Sequence, residues 1–393
     1  MKARSAGVRR ASAALVGVLA LGWAAAPAEA APKPGKGTPV TVMTRNIYLG
    51  GDITRPLRAT AGLAGFPALV AFGNANHRLR GIVDDTDFPA RSKLLAREIA
   101  DTKPDLIGLQ EVAMWRRGSL ELTAVGVANA TTVEYDFLAT LLADLAAIGE
   151  PYVAVNVQEQ SDVEGPAFLG NPFANTMSDP SDVRLTMRDV LLKRADNRVK
   201  VLGSGGGQYA TRIPFDVAGV TFNFIRGYNW ADVRVGAKTV RVVNTHLESQ
   251  SSDVALAQAS ELLSGPASPT DRPVVIVCDC NSDPLDDSVK TTDLFGTPHF
   301  GPYNLLTGAG GFTDEWLEWA PAEEGWTSGF SEAVTDANTD RIDHRIDLVL
   351  ARAANGDAMP ADQGRIVGVD QANRSPAGLW PSDHAGVVLR LRP

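Results

Sequence analysis

The segment VVIVCDCNSDP, residues 274–284, places an aspartate and an asparagine where an apolar run ends, and it contains both cysteines of the chain. Alternate residues of a strand share a face, so Asp279 and Asn281 should point together, away from Cys278 and Cys280. Without a third cysteine, a zinc site has too few ligands. A disulfide across a single residue would need strained geometry. We therefore expect the cysteines to be small core residues and the polar pair to do the chemistry.

Polar residues also occupy the ends of other apolar runs along the chain. An unsatisfied polar group there costs about 1–3 kcal/mol, so each one needs an explanation. The full set is Asn46, Glu111, Asp189, His246, Asp279, Asn281, Asp347, Asp383 and His384. Each alone could be a cap, an ion-pair partner or a satisfied core histidine. Because sites in open α/β sheets assemble at strand ends, one shared site explains the whole set better than separate accidents.

The ordered motifs resemble the endonuclease/exonuclease/phosphatase superfamily of metal-dependent phosphoesterases. That superfamily includes pancreatic-type deoxyribonuclease, abasic-site nucleases, inositol polyphosphate phosphatases and neutral sphingomyelinases. The resemblance extends from Thr41 to Leu391. The matching motifs are Thr44-Arg45-Asn46, Leu109-Gln110-Glu111, Asn244-Thr245-His246-Leu247, Cys278-Asp279-Cys280-Asn281, Arg345-Ile346-Asp347-Leu348 and Ser382-Asp383-His384. The chain departs from the family pattern at Arg45, where Trp is usual, at Leu348, where Tyr is common, and at both cysteines.

The resemblance implies a metal site. Glu111 would be the main ligand, and Asn46 and Asp383 would hold the ion directly or through water. Hard divalent cations prefer carboxylate and amide oxygens, so we expect Mg²⁺, with Mn²⁺ or Ca²⁺ as alternatives.

The resemblance also implies catalytic roles. His384 would be oriented by Asp347, and Asp279, helped by Asn281, would position or deprotonate the attacking water. His246 would donate to a nonbridging phosphoryl oxygen. Which of these groups is the general base stays open.

Two substrate-binding residues are predicted on the segment 188–194. Arg188 is a candidate phosphate contact, and Asp189 is a candidate partner for His246.

The run RIDHRIDLVL contains the same tripeptide twice, so the catalytic aspartate could be Asp343 or Asp347. Only the second copy leads directly into an apolar strand. Strand-end placement therefore favours Asp347.

Alternating strand and helix patterns must position these side chains. No linker or repeat divides residues 39–393, which indicates a single mixed α/β domain. The resemblance implies a four-layer sandwich of two mixed β-sheets packed face to face with helices outside. Inserted loops are expected near 52–87 and 118–133. The predicted strands are 40–49, 105–112, 152–158, 188–194, 222–235, 239–247, 274–279, 345–351 and 385–391, and the predicted helices are 88–103, 135–148 and 253–263.

Residues 1–30 have the basic, apolar and small-residue regions of a secretory signal peptide, with cleavage expected after Ala30. A flexible leader, 31–38, would follow. We therefore expect a secreted protein, with no later stretch that is apolar and long enough to span a membrane. Cleavage would remove four basic residues and one acidic residue, changing the formal net charge from −9 to −12. Such an acidic protein is a poor nonspecific binder of nucleic acid.

The function that these features predict is a secreted, divalent-metal-dependent phosphoester hydrolase, and a monomer. A phosphodiesterase acting on nucleic acid or another soluble phosphodiester is narrowly favoured, and the aromatic and basic segments 115–117 and 226–230 could form its binding ridge. A lipid phosphodiesterase or an inositol phosphate phosphatase is the alternative, since the apolar segment 63–72 could contact a membrane. A noncatalytic binding protein on the same scaffold is the least favoured alternative.

Overall fold

The structure, a computed structural model, describes residues 37–217, 219–354 and 359–393. The predicted signal peptide and most of the predicted leader lie outside the described residues. Within the described residues, the helices are too short or too polar to cross a bilayer.

The first sheet has eight strands in the order β15-β16-β1-β2-β6-β3-β4, with β5 paired to β6. Its central pair, β1 and β2, is parallel, and β16 joins β1 antiparallel. The sheet is therefore mixed. Its strands are β1 (Val40–Asn46), β2 (Leu106–Gln110), β3 (Met114–Gly118), β4 (Thr132–Asp136), β5 (Tyr152–Leu169), β6 (Ser178–Arg194), β15 (Ala361–Val367) and β16 (Gly386–Leu391).

The second sheet has six strands in the order β13-β14-β12-β11-β10-β7. It is also mixed, because β11 and β12 are parallel whereas β14 joins β12 antiparallel. A separate hairpin is formed by β8 (Ile213–Val217) and β9 (Val220–Phe224). The strands of the second sheet are β7 (Val199–Gln208), β10 (Gly227–Val235), β11 (Lys238–His246), β12 (Val274–Asp279), β13 (Thr313–Asp314) and β14 (Asp347–Arg352).

The helices are α1 (Arg55–Ala59), α2 (Gly65–Asp85), α3 (Phe88–Thr102), α4 (Phe137–Ala147), α5 (Ser252–Ser264), α6 (Gly301–Thr307) and α7 (Glu315–Trp319), and a single 3₁₀ turn covers Gln371–Asn373. Apolar residues of α3 and α4 pack on the first sheet, and those of α5 and α6 pack on the second. The inner faces of the two sheets share a third core in which Val42 and Val387 meet Val242 and Val277. These layers confirm the predicted α/β sandwich with helices outside.

The segment 52–87, predicted to be an irregular loop, is mostly helical and is corrected here. Helix α2 buries Phe72, Asn76, Leu79 and Val83, which lie three or four residues apart on one face. Glycine, alanine and asparagine fill much of the remaining helix, and its N-terminal boundary has no side-chain cap. The helical period is therefore present but weak in apolar contrast, which explains why the sequence did not reveal it. Between β3 and β4, by contrast, residues 119–131 contain neither helix nor strand.

The strands β5 and β6 are much longer than the predicted segments 152–158 and 188–194, and they pair along most of their length. Pro166 and several charged residues interrupt the apolar alternation of β5. Three register shifts accommodate this irregular pairing. The extra length carries these strands past the edge of the first sheet, toward α2 and the β8–β9 hairpin.

Candidate active site

Three predicted site residues stand in one row on the second sheet. His246 ends β11, Asp279 ends β12 and Asp347 begins β14. The strand register pairs His246 with Asp279 and Asp279 with Asp347, so the three residues are lateral neighbours. All three are almost fully buried. We call His246, Asp279 and Asp347 the ladder row.

The first sheet supplies the opposing residues from the ends of β1, β2 and β16. Asn46 ends β1, Glu111 immediately follows β2, and Asp383 and His384 precede β16. Glu111 has a positive φ of 59°, which turns the chain sharply out of the strand. We call Asn46, Glu111, Asp383 and His384 the loop row.

Asp279 is the meeting point of the two rows. The amide of Asn46 donates to Asp279 Oδ2 at 2.9 Å, which bridges the sheets. His246 Nε2 lies 3.3 Å and His384 Nε2 4.0 Å from the same oxygen. Side chains separated by more than three hundred residues in sequence therefore converge on one carboxylate.

The two histidines have opposite electrostatic environments. Burial lowers the pKa of His384, but Asp347, Asp383 and Asp279 outweigh this effect and raise the pKa well above its usual value. Asp347 Oδ2 lies 2.8 Å from His384 Nδ1, which fixes the ring. Burial, the Arg226 guanidinium and His384 all lower the pKa of His246 well below its usual value. At neutral pH, His384 is therefore an imidazolium and His246 a neutral imidazole.

The acids of the site repel one another in a buried environment. Burial and then Asp347 raise the pKa of Asp279, and burial and then Asp383 raise the pKa of Glu111. The pKa of Asp383 is also raised, chiefly by burial, with Asp279 adding to the shift. Such a concentration of carboxylates favours a bound cation, because a positive charge would relieve both the repulsion and the desolvation cost.

The carboxylates of Asp279 and Asp347, beside His384, form a cluster that suits a divalent cation. Donor atoms of Asp279, Asp347 and His384 all lie within 4.8 Å of one another. In addition, Asp347 Oδ1 is buried and has no hydrogen-bond partner. Carboxylate oxygens that are buried and unpartnered are suitable ligands for a hard cation.

The metal set predicted from the sequence, Asn46, Glu111 and Asp383, adjoins this cluster but differs from it. The amide of Asn46 is already engaged at both ends, since its Oδ1 also accepts the Tyr48 N–H at 2.9 Å. One oxygen of Glu111 accepts the Leu49 N–H at 2.9 Å, and among the described residues the other oxygen has no hydrogen-bond donor. The assignment of these three residues as ligands stays a prediction.

Arg188 is held by hydrogen bonds within the protein. Its guanidinium donates to the carbonyl oxygens of Val112 and Ala113 and to Asp136 Oδ1, at 2.9, 3.2 and 2.7 Å. These bonds hold the turn after β2 and the start of α4. These contacts give Arg188 a structural role, and its assignment as a phosphate contact stays a prediction.

Asp189 is buried beside the site but does not contact His246 as predicted. Its Oδ2 accepts a hydrogen bond from Gln160 at 3.0 Å, and its Oδ1 has no partner. Burial raises the pKa of Asp189 to about 7. The partner of His246 is instead Arg226, whose Nη1 lies 2.9 Å from Nδ1.

Asn281 supports Asp279 through its backbone. Its N–H donates to Asp279 Oδ1 at 3.1 Å, and its side chain donates to the Leu247 carbonyl at 3.0 Å. Strand β12 ends at Asp279 and Asn281 has a φ of 43°, so strand alternation does not extend to Asn281. The role of Asn281 in helping Asp279 to act on water stays a prediction.

Cys278 and Cys280 are joined in a disulfide, which corrects the expectation of two separate thiols. Both residues are fully buried on the α5 side of the second sheet, the face opposite Asp279. Their Cα atoms are 5.1 Å apart, within the range that suits a disulfide. A regular strand would separate them by about 6.6 Å, so the end of β12 brings the sulfurs together.

Sequence patterns missed several residues that support the site. Arg226 precedes β10, whose first residue, Gly227, pairs with His246, and this register places the guanidinium on the imidazole. The β10–β11 hairpin could have placed Arg226 at the site, because the residue before β10 must lie beside the end of β11.

Arg45, noted only as a departure from the family pattern, is fully buried and links the two halves of the loop row. It pairs with Glu98 of α3 at 3.1 Å, donates to the Asn46 carbonyl at 3.2 Å and also donates to the His384 carbonyl. A second buried arginine, Arg91 of α3, donates to the carbonyl oxygens of Ile47, Tyr48 and Pro381.

Comparisons with known proteins agree with this architecture. The model of the Endonuclease/Exonuclease/phosphatase family matches residues 73–384. Among solved structures, a family member from Leptotrichia buccalis is 13% identical, with a TM-score of 0.51 and coverage of 90% of this chain and 100% of that one. A mannosyl-6-phosphatase from Bacteroides thetaiotaomicron is 14% identical, with a TM-score of 0.46 and coverage of 90% and 99%. No curated protein matches the sequence.

Proposed function

Because the chain belongs to the endonuclease/exonuclease/phosphatase family of phosphoester hydrolases, we propose that it is a secreted, divalent-metal-dependent phosphodiesterase. The observation that carries this proposal is the convergence of the ladder row and the loop row on Asp279 Oδ2. An isolated acid or histidine would have a structural explanation. A buried set of acids with two imidazoles can activate water and stabilise charge on phosphoryl oxygens, which hydrolysis of a phosphoester uses.

The cation, when bound by Asp279, Asp347 and the neighbouring acids, would stabilise negative charge on the phosphoryl oxygens. The side chains of the protein divide the remaining work. Asp279, held by the amide of Asn46, would position or deprotonate the attacking water. The imidazolium of His384 and the guanidinium of Arg226 would stabilise the negative charge that develops on the phosphoryl oxygens. His246, kept neutral, has one N–H to donate to a phosphoryl oxygen.

Charge favours a diester over a monoester as substrate. A phosphodiester carries one negative charge, whereas a monoester carries nearly two at neutral pH. Besides the metal ion, the cationic groups are His384 beside Asp279 and Arg226 on His246, and several carboxylates surround them. A monoanionic ester is the easier ligand for such a site.

Apart from Arg226, which contacts His246, the segments considered as a nucleic-acid ridge contribute mainly to packing. Trp115 is buried and donates to the Leu49 carbonyl, and Arg117 pairs with Glu134 at 3.0 Å. Tyr228 and Trp230 pack on the core beneath α5. Nucleic acid as the substrate therefore receives no support from these segments.

The test uses bis-p-nitrophenyl phosphate with Mg²⁺ on the exported protein. We expect release of p-nitrophenolate, its abolition by EDTA and its recovery when Mg²⁺ is restored. Glu111→Ala and His384→Ala serve as inactive blanks. A metal-replete protein that is inert on this ester, and also on DNA, RNA, phospholipids and inositol phosphates, would contradict the proposal and favour a noncatalytic binding protein.

A second measurement tests secretion. We expect the mature protein in the extracellular fraction to begin at Ala31, as determined by N-terminal sequencing. Retention of residues 1–30 in the mature chain would contradict cleavage after Ala30.

A further inference from the structure

A cavity of about 330 Å³ adjoins the active site. Asp383 of the loop row and Arg226, the partner of His246, lie in its wall together with Glu248. Its volume is in the range of pockets that bind small organic molecules. The catalytic function proposed above does not use this space.

Three regions of the chain form the walls of the cavity. The α1–α2 segment contributes Leu57 and Phe72, the long strands β5 and β6 contribute Val163 and Leu185, and β9 contributes Phe222 and Phe224. Most of these elements were unrecognised or only partly recognised in the sequence. Helix α2 and the extended parts of β5 and β6 together create a compartment beside the sandwich core.

Three polar residues of the cavity body, Asn76, Ser161 and Glu164, form hydrogen bonds with the protein around them, whereas Asp52, Glu248 and Glu332 add charged groups to the lining. Asn76 donates to the carbonyl oxygens of Gly165 and Pro166, both at 3.1 Å. The Ser161 hydroxyl accepts the Ile225 N–H at 2.8 Å. Glu164 Oε2 accepts the N–H groups of Asn129 and Ala130, both at 2.7 Å. Because these bonds satisfy the polar atoms, the body of the cavity presents apolar surface.

The cavity thus has a charged end at the active site and an apolar body. Gly165 allows this shape, because a Cβ atom there would come within 2.6 Å of the Phe72 ring. The stacked rings of Phe72 and Phe222, with centroids 6.1 Å apart, connect α2 with the hairpin across the cavity wall.

We infer that this cavity binds an apolar substituent of the phosphoester, so that the substrate class is a phosphodiester with a hydrophobic alkyl or aryl group. The inference rests on the proposed function, since it takes the phosphate to lie at Asp279 and the substituent to extend past Asp383 and Arg226. Polar diesters, including a nucleic-acid backbone, would leave the apolar wall without a matching ligand. Burial of an alkyl or aryl group there removes apolar surface from water.

The test is a series of alkyl p-nitrophenyl phosphates, from methyl to decyl, with phenyl p-nitrophenyl phosphate as the aryl arm. All members release the same leaving group, so differences in kcat/KM report on the substituent. Each methylene that enters the cavity should raise kcat/KM about fourfold, which corresponds to about 0.8 kcal/mol, until the cavity is full. All esters are used below their critical micelle concentrations, so that an effect of aggregated substrate is excluded. The phenyl ester distinguishes a preference for rings from a preference for chains.

Phe224→Ala removes one wall and should lower kcat/KM for the hexyl ester about tenfold, while the methyl ester changes little. Phe66→Ala is the matched control, because Phe66 is an exposed phenylalanine of α2 outside this cavity. It should leave the dependence on chain length unchanged. A second variant, Val163→Phe, fills part of the cavity. In this variant, kcat/KM should stop rising at a shorter alkyl chain.

The two proposals fail in different ways. If every ester is inert with Mg²⁺, the proposed function is wrong. If all esters are hydrolysed at similar rates, or if Phe66→Ala and Phe224→Ala behave alike, the phosphodiesterase stands and the apolar subsite is wrong.

Discussion

On the second sheet, His246, Asp279 and Asp347 stand on neighbouring strands and are held by the strand register, whereas the first sheet delivers Glu111, Asp383 and His384 from turns at its strand ends. Backbone hydrogen bonds therefore fix the ladder row directly. The loop row depends on side chains. A substitution in the ladder row should therefore change its charge without moving it. A substitution in a residue that supports the loop row should move the loop row, even if that residue never touches the substrate.

Helix α3 is the main support of the loop row. Arg91 binds carbonyl oxygens in the segments after β1 and before β16, and Glu98 holds Arg45 against Asn46 and His384. Both arginines are fully buried, and burial lowers the pKa of Arg91 to about 10. Loss of one partner in such a network leaves a buried charge uncompensated.

The largest expected effect is on the ladder row. Asp279→Asn keeps the size of the side chain but removes the carboxylate, so kcat on a phosphodiester should fall about 10²–10⁴-fold. The free energy of unfolding, measured with urea, should change little, because an unfavourable interaction with Asp347 is also removed. For the repeated tripeptide, Asp347→Asn should lower kcat to a similar extent, and Asp343→Asn, in the other copy and 69% exposed, is its matched control. Equal losses in the two variants would contradict the choice of Asp347 and the strand-end argument.

The next largest expected effect is on the free energy of unfolding and concerns the buried ion pair that supports the loop row. Arg45→Met leaves Glu98 buried without its partner and should lower the free energy of unfolding by about 3–5 kcal/mol. The double variant Arg45→Met/Glu98→Leu should recover most of this loss. Arg390→Met is the control, because the Arg390–Asp362 pair is partly exposed and should contribute less than about 1 kcal/mol. A similar small loss in Arg45→Met would show that the loop row does not depend on this ion pair.

The two histidines give opposite dependences of stability on pH in protein treated with EDTA. The lowered pKa of His246 means that the unfolded chain binds more protons below about pH 6.5, so stability falls as the pH is lowered there. The raised pKa of His384 gives stability that is present below about pH 6.5 and is lost as the pH rises toward the folded-state value.

His246→Gln should therefore reduce the slope of the unfolding free energy against pH below about pH 6.5. His384→Gln should reduce this slope above about pH 6.5. Each slope should change by at most about 1.4 kcal/mol per pH unit. The measurement is urea unfolding at several pH values from 5 to 9. A change of slope on the same side in both variants would contradict their assigned charge states.

The smallest expected effect concerns two hydroxyl groups, one that supports the loop row and one that supports the ladder row. The Ser382 hydroxyl donates to the Asn46 carbonyl at 2.9 Å and accepts the His384 N–H, and the Thr327 hydroxyl accepts the N–H groups of Ile346 and Asp347. Ser382→Ala and Thr327→Val should each cost about 1 kcal/mol of stability.

Only the serine variant should lower kcat appreciably, by roughly tenfold, because small displacements of catalytic groups are costly and the ladder holds Asp347 in any case. Steady-state kinetics beside thermal unfolding checks this difference. Equal changes in kcat would mean that the two rows are equally well held.

Sequence patterns identified the residues of both rows because polar groups at the ends of apolar strands are costly unless they are used. The bounds of β12 were predicted correctly, and α5 was placed to within one residue, since their apolar patterns are clear. Three glycines in succession leave β7 with almost no side-chain pattern, which is why this strand was not recognised. The roles of Arg45 and Arg188 depend on contacts with distant carbonyl groups, and no local pattern encodes such contacts.

The register of the ladder row has a consequence for folding fidelity. A slip of β12 by one residue would put a half-cystine where Asp279 stands and turn the carboxylate into the packed layer beneath α5. Misaligned chains would therefore be both poorly stable and catalytically silent. Catalytic activity therefore requires the correct alignment of β12 in this sheet.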